Sequence, residues 1–151
     1  MRLISVGKLR EPYVAEACDD FGTRLRRYES FEQLEVAASH GSDLARAMRE
    51  EGERVMRAIA PGDAVWLLER GGSQLSTTEL AERLRALAAA ATSRLVLVVA
   101  GTYGASDELL ARADFHWSLS RLTFLHEWTR ALVLEQLYRA AKIARNEPYH
   151  H

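Results

Sequence analysis

The sequence predicts an α/β fold with a mostly parallel sheet flanked by helices. Three observations carry that reading. Short apolar runs alternate with amphipathic stretches along the whole chain, which is the pattern of repeated strand–helix–strand units. Two of the runs, Ala64–Leu68 (AVWLL) and Arg94–Ala100 (RLVLVVA), are apolar without alternation, as strands covered on both faces are. Glycines follow both runs, at Gly71–Gly72 and at Gly101, where an open α/β sheet turns from strand to helix and binds its ligands.

The elements follow in order. Arg2–Val6 (RLISV) is a first strand, closed by Gly7. Pro12 fits the first turn of a helix, and Val14, Ala17, Cys18, Phe21, Leu25 and Tyr28 then recur on one helical face. Phe31–Ala37 alternates and reads as a strand. Gly41–Ser42 opens a charged amphipathic helix whose apolar positions are Leu44, Met48, Val55, Met56 and Ile59. Pro61-Gly62-Asp63 is a turn, Ala64–Leu68 a strand, and Gly71–Gly72 ends it. Ser76 with Glu79 is a capping box, S-x-x-E, at the start of a helix reaching the alanines near Ala91. Arg94–Ala100 is the central strand, and Gly101–Gly104 a tight loop. Ser106 caps a short helix over Asp107–Arg112, Phe115–Leu119 is a last strand, and a long helix runs from about His126 to Arg145. Pro148 limits that helix, because the residue before proline avoids helical angles.

Composition narrows the function. The chain has 151 residues, enough for one domain that needs neither metal nor disulfide to hold it together. Its single cysteine, Cys18, has no internal partner, which favours a reducing, cytoplasmic setting. No apolar run approaches the roughly 20 residues of a membrane span, and the amino terminus lacks a secretory signal pattern. Lys plus Arg is 20 and Asp plus Glu 21, a net charge of −1, which argues against tight binding to bare nucleic acid. Positive charge is nevertheless grouped at Arg24, Arg26 and Arg27 and along Arg130, Arg139, Lys142 and Arg145.

Three strand ends carry unusual residues: Leu68–Gly72, Gly101–Gly104 and Ser118–His126. The glycines either make turns or let backbone approach a ligand. They form neither GxGxxG nor GxxxxGK[ST], so neither a dinucleotide site nor a phosphate loop is supported. The third segment is an apolar loop, LSRLTFL, which either packs under a neighbour or folds around a ligand. The last helix is apolar around more than one face, from Trp128 through Ile143. A second cover is required, either in a layered core or in a subunit interface, and a homodimer is the favoured expectation. His40 and His116 stand alone. His126 opens the last helix with Arg130 on the same face, and His150–His151 close the chain beside Tyr149. No H-x-x-x-H or C-x-x-C spacing exists, so no metal site is expected.

Taken together, the strand with its G-x-x-G loop, the segment Ser118-Leu119-Ser120-Arg121-Leu122-Thr123, the Leu137-Tyr138-Arg139-Ala140 helix and the tail Asn146-Glu147-Pro148-Tyr149-His150 resemble one family. They are similar to the ribosomal large-subunit pseudouridine N3-methyltransferases of the SPOUT, or α/β-knot, superfamily. The likeness spans the chain, from Val6-Gly7-Lys8 and Leu67–Gly71 to the tail. It implies a carboxyl-terminal trefoil knot, an exception to unknotted connections, and S-adenosylmethionine as methyl donor. It implies cofactor contacts from Leu68, Gly101, Ser120, Arg121, Leu122, Thr123, Phe124 and Leu125. It further implies a homodimer that methylates a pseudouridine in the helix 69 loop of 23S rRNA on the assembled ribosome, with no metal and no membrane.

The acceptor nitrogen carries an imide proton, so catalysis needs that proton removed or the anion stabilised. His126, Arg130, Tyr149 and His150 are the candidates. A histidine can take a proton near neutrality, whereas Arg130 stays protonated and can only stabilise negative charge or hold a phosphate. The tail of one subunit is expected to complete the pocket of the other. The chain departs from the family at Leu68, where Asp is usual, and at Tyr103 in the glycine loop. It departs again at Leu125, where Pro is frequent, and at Glu147, where His or similar is frequent. These departures keep open a second reading, a ribosome-binding factor with weakened catalysis that retains the fold.

Overall fold

The structure, a computed structural model, describes residues 1–90 and 94–148. Strands and helices alternate as β1 (Arg2–Val6), α1 (Pro12–Leu25), β2 (Glu32–Val36), α2 (Leu44–Arg57), β3 (Ala64–Gln74), α3 (Thr77–Ala89), β4 (Leu95–Val99), α4 (Asp107–Arg112), β5 (Phe115–Ser118) and α5 (His126–Ala144). The five strands pair in the order β2-β1-β4-β3-β5, every pair parallel. The non-alternating run thus becomes the central strand, and every residue of β4 is buried.

The pleat of β4 explains why it is apolar throughout. Leu95, Leu97 and Val99 face a core shared with α1, α3 and α5 through Val14, Leu80 and Leu134. Val96 and Val98 face the other way, onto Val55 of α2 and Leu109 of α4. Each such side chain contributes roughly 1.5–3 kcal/mol when fully buried, so polar substitution on either face of β4 is costly. α5 lies on the first face with α1 and α3 beside it, and Ala131, Val133, Leu134, Leu137 and Ala140 are buried. Much of its apolar breadth is therefore covered within the chain. Trp128 and Tyr13 remain outside, their ring centroids 5.9 Å apart and both side chains exposed.

The caps read from sequence form. Ser76 accepts from the Glu79 N–H while the Glu79 carboxylate accepts from the Ser76 N–H, and Ser106 accepts from the Leu109 N–H. Four details differ from expectation. The first concerns Gly71–Gly72, which do not end β3. The strand runs on to Gln74 through a bulge in which both Leu68 and Ser73 align with Trp117. A Cβ on Gly72 would lie 2.5 Å from the His116 carbonyl oxygen, so Gly72 serves close strand approach.

The second is α2, which starts at Leu44 with Asp43 as cap and buries Ala47, Glu51, Gly52 and Val55, leaving Leu44 exposed. Third, β5 stops at Ser118, one residue short of Leu119. Finally, α5 is ended before Pro148. Asn146 adopts φ 56°, and the N–H groups of Asn146 and Glu147 bond the carbonyls of Ile143 and Lys142, a Schellman stop.

Candidate functional site

The carboxyl ends of β3, β4 and β5 lie side by side, and the loops that follow them enclose a cavity of about 780 Å³. Its walls include Leu68, Gly101–Gly104, Ser120, Leu122, Thr123, Phe124, Leu125 and His126. Of the residues anticipated around a cofactor, only Arg121 is absent from that wall. The volume lies within the range of small-ligand pockets. The apolar loop is not packed under a neighbour: Leu122 and Leu125 are each 70% exposed. It is shaped locally by Ser118 donating to the Ser120 carbonyl at 3.0 Å and Leu122 N–H donating to Ser120 Oγ at 3.1 Å. Arg70 reaches across from β3 to Thr123 Oγ1 at 3.4 Å.

Gly101 is the residue on which this region turns. A Cβ there would meet Glu51 Oε2 at 2.4 Å and Val6 Cγ1 at 3.2 Å, so no other residue fits without rearrangement. The loop closes on itself through Gly104 N–H to the Gly101 carbonyl at 3.0 Å, with Gly104 at φ 97°. On its other side lies a second cavity, of about 560 Å³, at the carboxyl ends of β1 and β2. Gly101, Thr102, Tyr103 and His126 line both cavities, which meet there.

His126 is half-buried, and burial followed by the nearby Arg130 cation pushes its imidazolium below the ordinary histidine range. Near pH 7 it is therefore neutral and able to accept a proton. Next to it, burial pushes the Glu127 carboxyl up. That push is outweighed by the Arg10 and Glu11 N–H groups, which donate to Oε2 at 3.0 and 3.1 Å, so the group ends below the usual carboxylate range. Glu127 thereby pins the start of α1 to the start of α5.

Arg130 differs from its expected role. It is 2% exposed, and its guanidinium donates to Glu35 Oε1 (2.9 Å), the Val6 carbonyl (2.6 Å) and the Gly7 carbonyl (2.9 Å). These bonds tie the ends of β1 and β2 to α5, so the side chain is a clasp inside the protein and presents no phosphate site. The surface basic patch is also smaller than the sequence suggests. Arg24 pairs with Asp20 at 2.7 Å, Arg139 with Glu135 and Lys142 with Glu147 at 3.4 Å, while Arg26 and Arg27 remain exposed. His116 is held by Glu69 at 2.9 Å. Cys18 is buried among α1 core residues, and burial pushes its thiol up to about 11, so it is no nucleophile. Tyr149 and His150 lie outside the described residues. Among the described residues there is no group of three or more potential metal ligands and no helix long and apolar enough to cross a membrane.

Sequence reading missed Glu51. It is 4% exposed and lines the second cavity. Its signal was available: an acid four residues after Ala47 and four before Val55 sits on the buried face of α2.

Comparison with known proteins gives a uniform result. A family model described as "Predicted SPOUT methyltransferase" matches residues 1–150. The chain is 39% identical to the Ribosomal RNA large subunit methyltransferase H of Acetivibrio thermocellus, over 98% of this chain and 97% of that protein. It is 41% identical to the protein of that name from Pelobacter propionicus, over 100% and 99%. The protein of that name from Desulfitobacterium hafniense strain DCB-2 is 35% identical, over 99% and 98%.

Proposed function

The chain belongs to the SPOUT methyltransferase family, and from that membership we propose that it methylates N3 of a pseudouridine in the helix 69 loop of 23S rRNA, on the assembled ribosome in the cytoplasm. The observation that carries this reading is the pair of cavities that meet at Gly101–Tyr103 and a neutral His126. One cavity can hold a methyl donor and the other the base, with a proton acceptor where they meet.

S-adenosylmethionine bound in the first cavity would supply an electrophilic sulfonium methyl group. The residues present suit it. Leu68, Leu122, Phe124 and Leu125 offer apolar surface, Ser120 and Thr123 offer hydroxyls, and Gly101 keeps the floor free of a side chain. Arg121 would contact the donor only from outside the observed wall. With this site we also infer the trefoil threading implied by the resemblance, the chain after β5 passing the Gly101–Gly104 turn. His126 would accept the imide proton as N3 attacks, and Arg130 would act by fixing the helix that carries it. Bringing N3 into contact with the methyl group, in line with sulfur, where the two cavities meet would supply much of the acceleration.

The tail supports a homodimer. α5 carries the chain from His126 at the cavity to Ala144, about 27 Å away at 1.5 Å per residue. There Tyr28 donates to Glu147 Oε2 at 2.6 Å and Arg145 donates to the Tyr28 carbonyl at 2.7 Å, anchoring the exit. The four residues beyond Glu147 span at most about 14 Å. We infer that a second copy, and not the same chain, brings Tyr149 and His150 to the site.

Leu68 favours one rival, a ribosome-binding factor with little catalysis. The β3 end offers no free carboxylate, because Glu69 is committed to His116. Incubation with tritiated S-adenosylmethionine and ribosomes lacking the modification tests both readings. Label mapped to N3 of a helix 69 pseudouridine is the expected result. Ribosome binding without label, together with no heat on titration with S-adenosylmethionine, would establish the rival.

A further inference from the structure

Glu51 has one carboxylate oxygen with nothing to do. Oε1 accepts the Ser39 N–H at 2.8 Å, whereas Oε2, buried at the second cavity against Gly101, has no hydrogen-bond partner. A buried acceptor left unsatisfied carries a substantial penalty. Glu51 lines the cavity while Oε2 itself is covered by Gly101, so a donor entering the cavity reaches it once the Gly101 turn shifts slightly. Around the mouth of the same cavity Lys8, Arg10 and His40 are exposed, cationic or neutral donors suited to a sugar–phosphate strand. The cavity's volume of about 560 Å³ admits one nucleoside.

We propose that the second cavity receives the target nucleotide and that Glu51 Oε2 accepts the N1–H of pseudouridine. The proposal rests on the function given above and adds to it the residue that sets base specificity. Pseudouridine differs from uridine in joining the sugar through carbon, which leaves N1 with a proton. N1–H and N3–H flank the C2 carbonyl and diverge. The base can therefore direct N3 past the Gly101–Tyr103 edge, where the two cavities meet, while N1–H meets the carboxylate lying against Gly101. Uridine brings no donor to that point and would leave Oε2 buried and unpaired, so the site rejects it by the same penalty that the native base relieves.

Glu51→Gln is a sharp probe. The Ser39 N–H holds whichever atom accepts from it, so the Gln oxygen must take the place of Oε1 and its NH2 must face the cavity. An acceptor becomes a donor with little change of shape. The experiment compares methylation of ribosomes carrying pseudouridine or uridine at the target position, with calorimetric titration of S-adenosylmethionine alongside. Wild type should prefer pseudouridine by about 100-fold in kcat/KM, and Glu51→Gln should bring the two bases within about threefold, with donor affinity unchanged. Glu51→Asp, which keeps the charge but withdraws the oxygen, should show a partial collapse of the same preference.

A Glu51→Gln enzyme that retains the wild-type preference would overturn the role of Glu51 and leave the proposed function standing. Loss of rate on both bases in proportion to lost donor binding would also overturn it, by showing a structural role. A wild-type enzyme that labels neither ribosome would remove both the inference and the function on which it rests.

Discussion

Replacing Gly101 by alanine strikes the wall common to both cavities, and its cost can be worked from the geometry. The new methyl would lie 2.4 Å from Glu51 Oε2 and 3.2 Å from Val6 Cγ1. An ordinary contact needs about 3.4 Å, so the Glu51 carboxylate must retreat by about 1 Å. That retreat stretches the 2.8 Å bond from the Ser39 N–H beyond hydrogen-bonding range. Loss of a hydrogen bond to a charged acceptor costs about 1.5–3 kcal/mol, and forcing an extra methyl into a packed site about 1–3 kcal/mol. Even the low end of that sum, about 3 kcal/mol, corresponds to a fall in Tm of roughly 9 °C for a domain of this size. Thermal melts and calorimetric titration with S-adenosylmethionine are the assays, and donor affinity should fall with stability because Gly101 lines the donor cavity. The double variant Gly101→Ala with Glu51→Ala should be more stable than the sum of the single changes by about 1–2 kcal/mol, since removing the carboxylate removes the clash. A Gly101→Ala protein that melts within about 2 °C of wild type and binds the donor unchanged would refute this reasoning.

Other expectations follow from the same geometry. Deleting Tyr149–His151 should abolish methylation while donor binding survives, because the donor cavity is built from residues before Arg130; full activity after the deletion would contradict the tail's role. His126 is shifted below the ordinary histidine range, so activity needing its neutral form is full at pH 7 and is lost as pH falls through that lowered value. The acid limb of kcat/KM should accordingly have its midpoint below about 6.5, and a midpoint above 7 would remove His126 as the proton acceptor. Trp128→Glu places charge beside the exposed Tyr13 and should shift the protein toward monomer in sedimentation, with methylation falling in parallel; an unchanged dimer would move the interface elsewhere.

Sequence reading succeeded where local chemistry is decisive. The β4 run LVLVV has no polar residue to spare for solvent, so only a strand covered on both faces accommodates it, and the sheet places it centrally. Ser76–Glu79 and Ser106 reveal helix starts because the capping bonds are made within four residues. Two of the failures share one cause, a distant partner. Gly71–Gly72 look like a strand end until β5 lies against them, when the missing Cβ becomes the condition for Gly72 to approach His116. Arg130 looks like a surface cation in a basic helix until the carbonyls of Val6 and Gly7, more than a hundred residues away, accept its hydrogen bonds. Seven of the eight residues anticipated around a cofactor line the first cavity, because the strand-end glycines and the apolar loop sit where an α/β sheet binds ligands. The second cavity was not legible, since it gathers Gly7, Ser39 and Glu51 from three segments with no shared pattern.

The proposed methyl-transfer site lies at the strand ends of one subunit and is completed by the tail of another. Mixing two inactive chains tests it most directly: one lacking Tyr149–His151, the other full-length with His126→Ala. After subunit exchange about half of the dimers are hybrids, and each hybrid holds one site with an intact His126 and an intact tail from its neighbour, so methylation should return to about a quarter of the wild-type rate. A mixture that forms hybrid dimers yet stays as inactive as its two components would contradict the shared site.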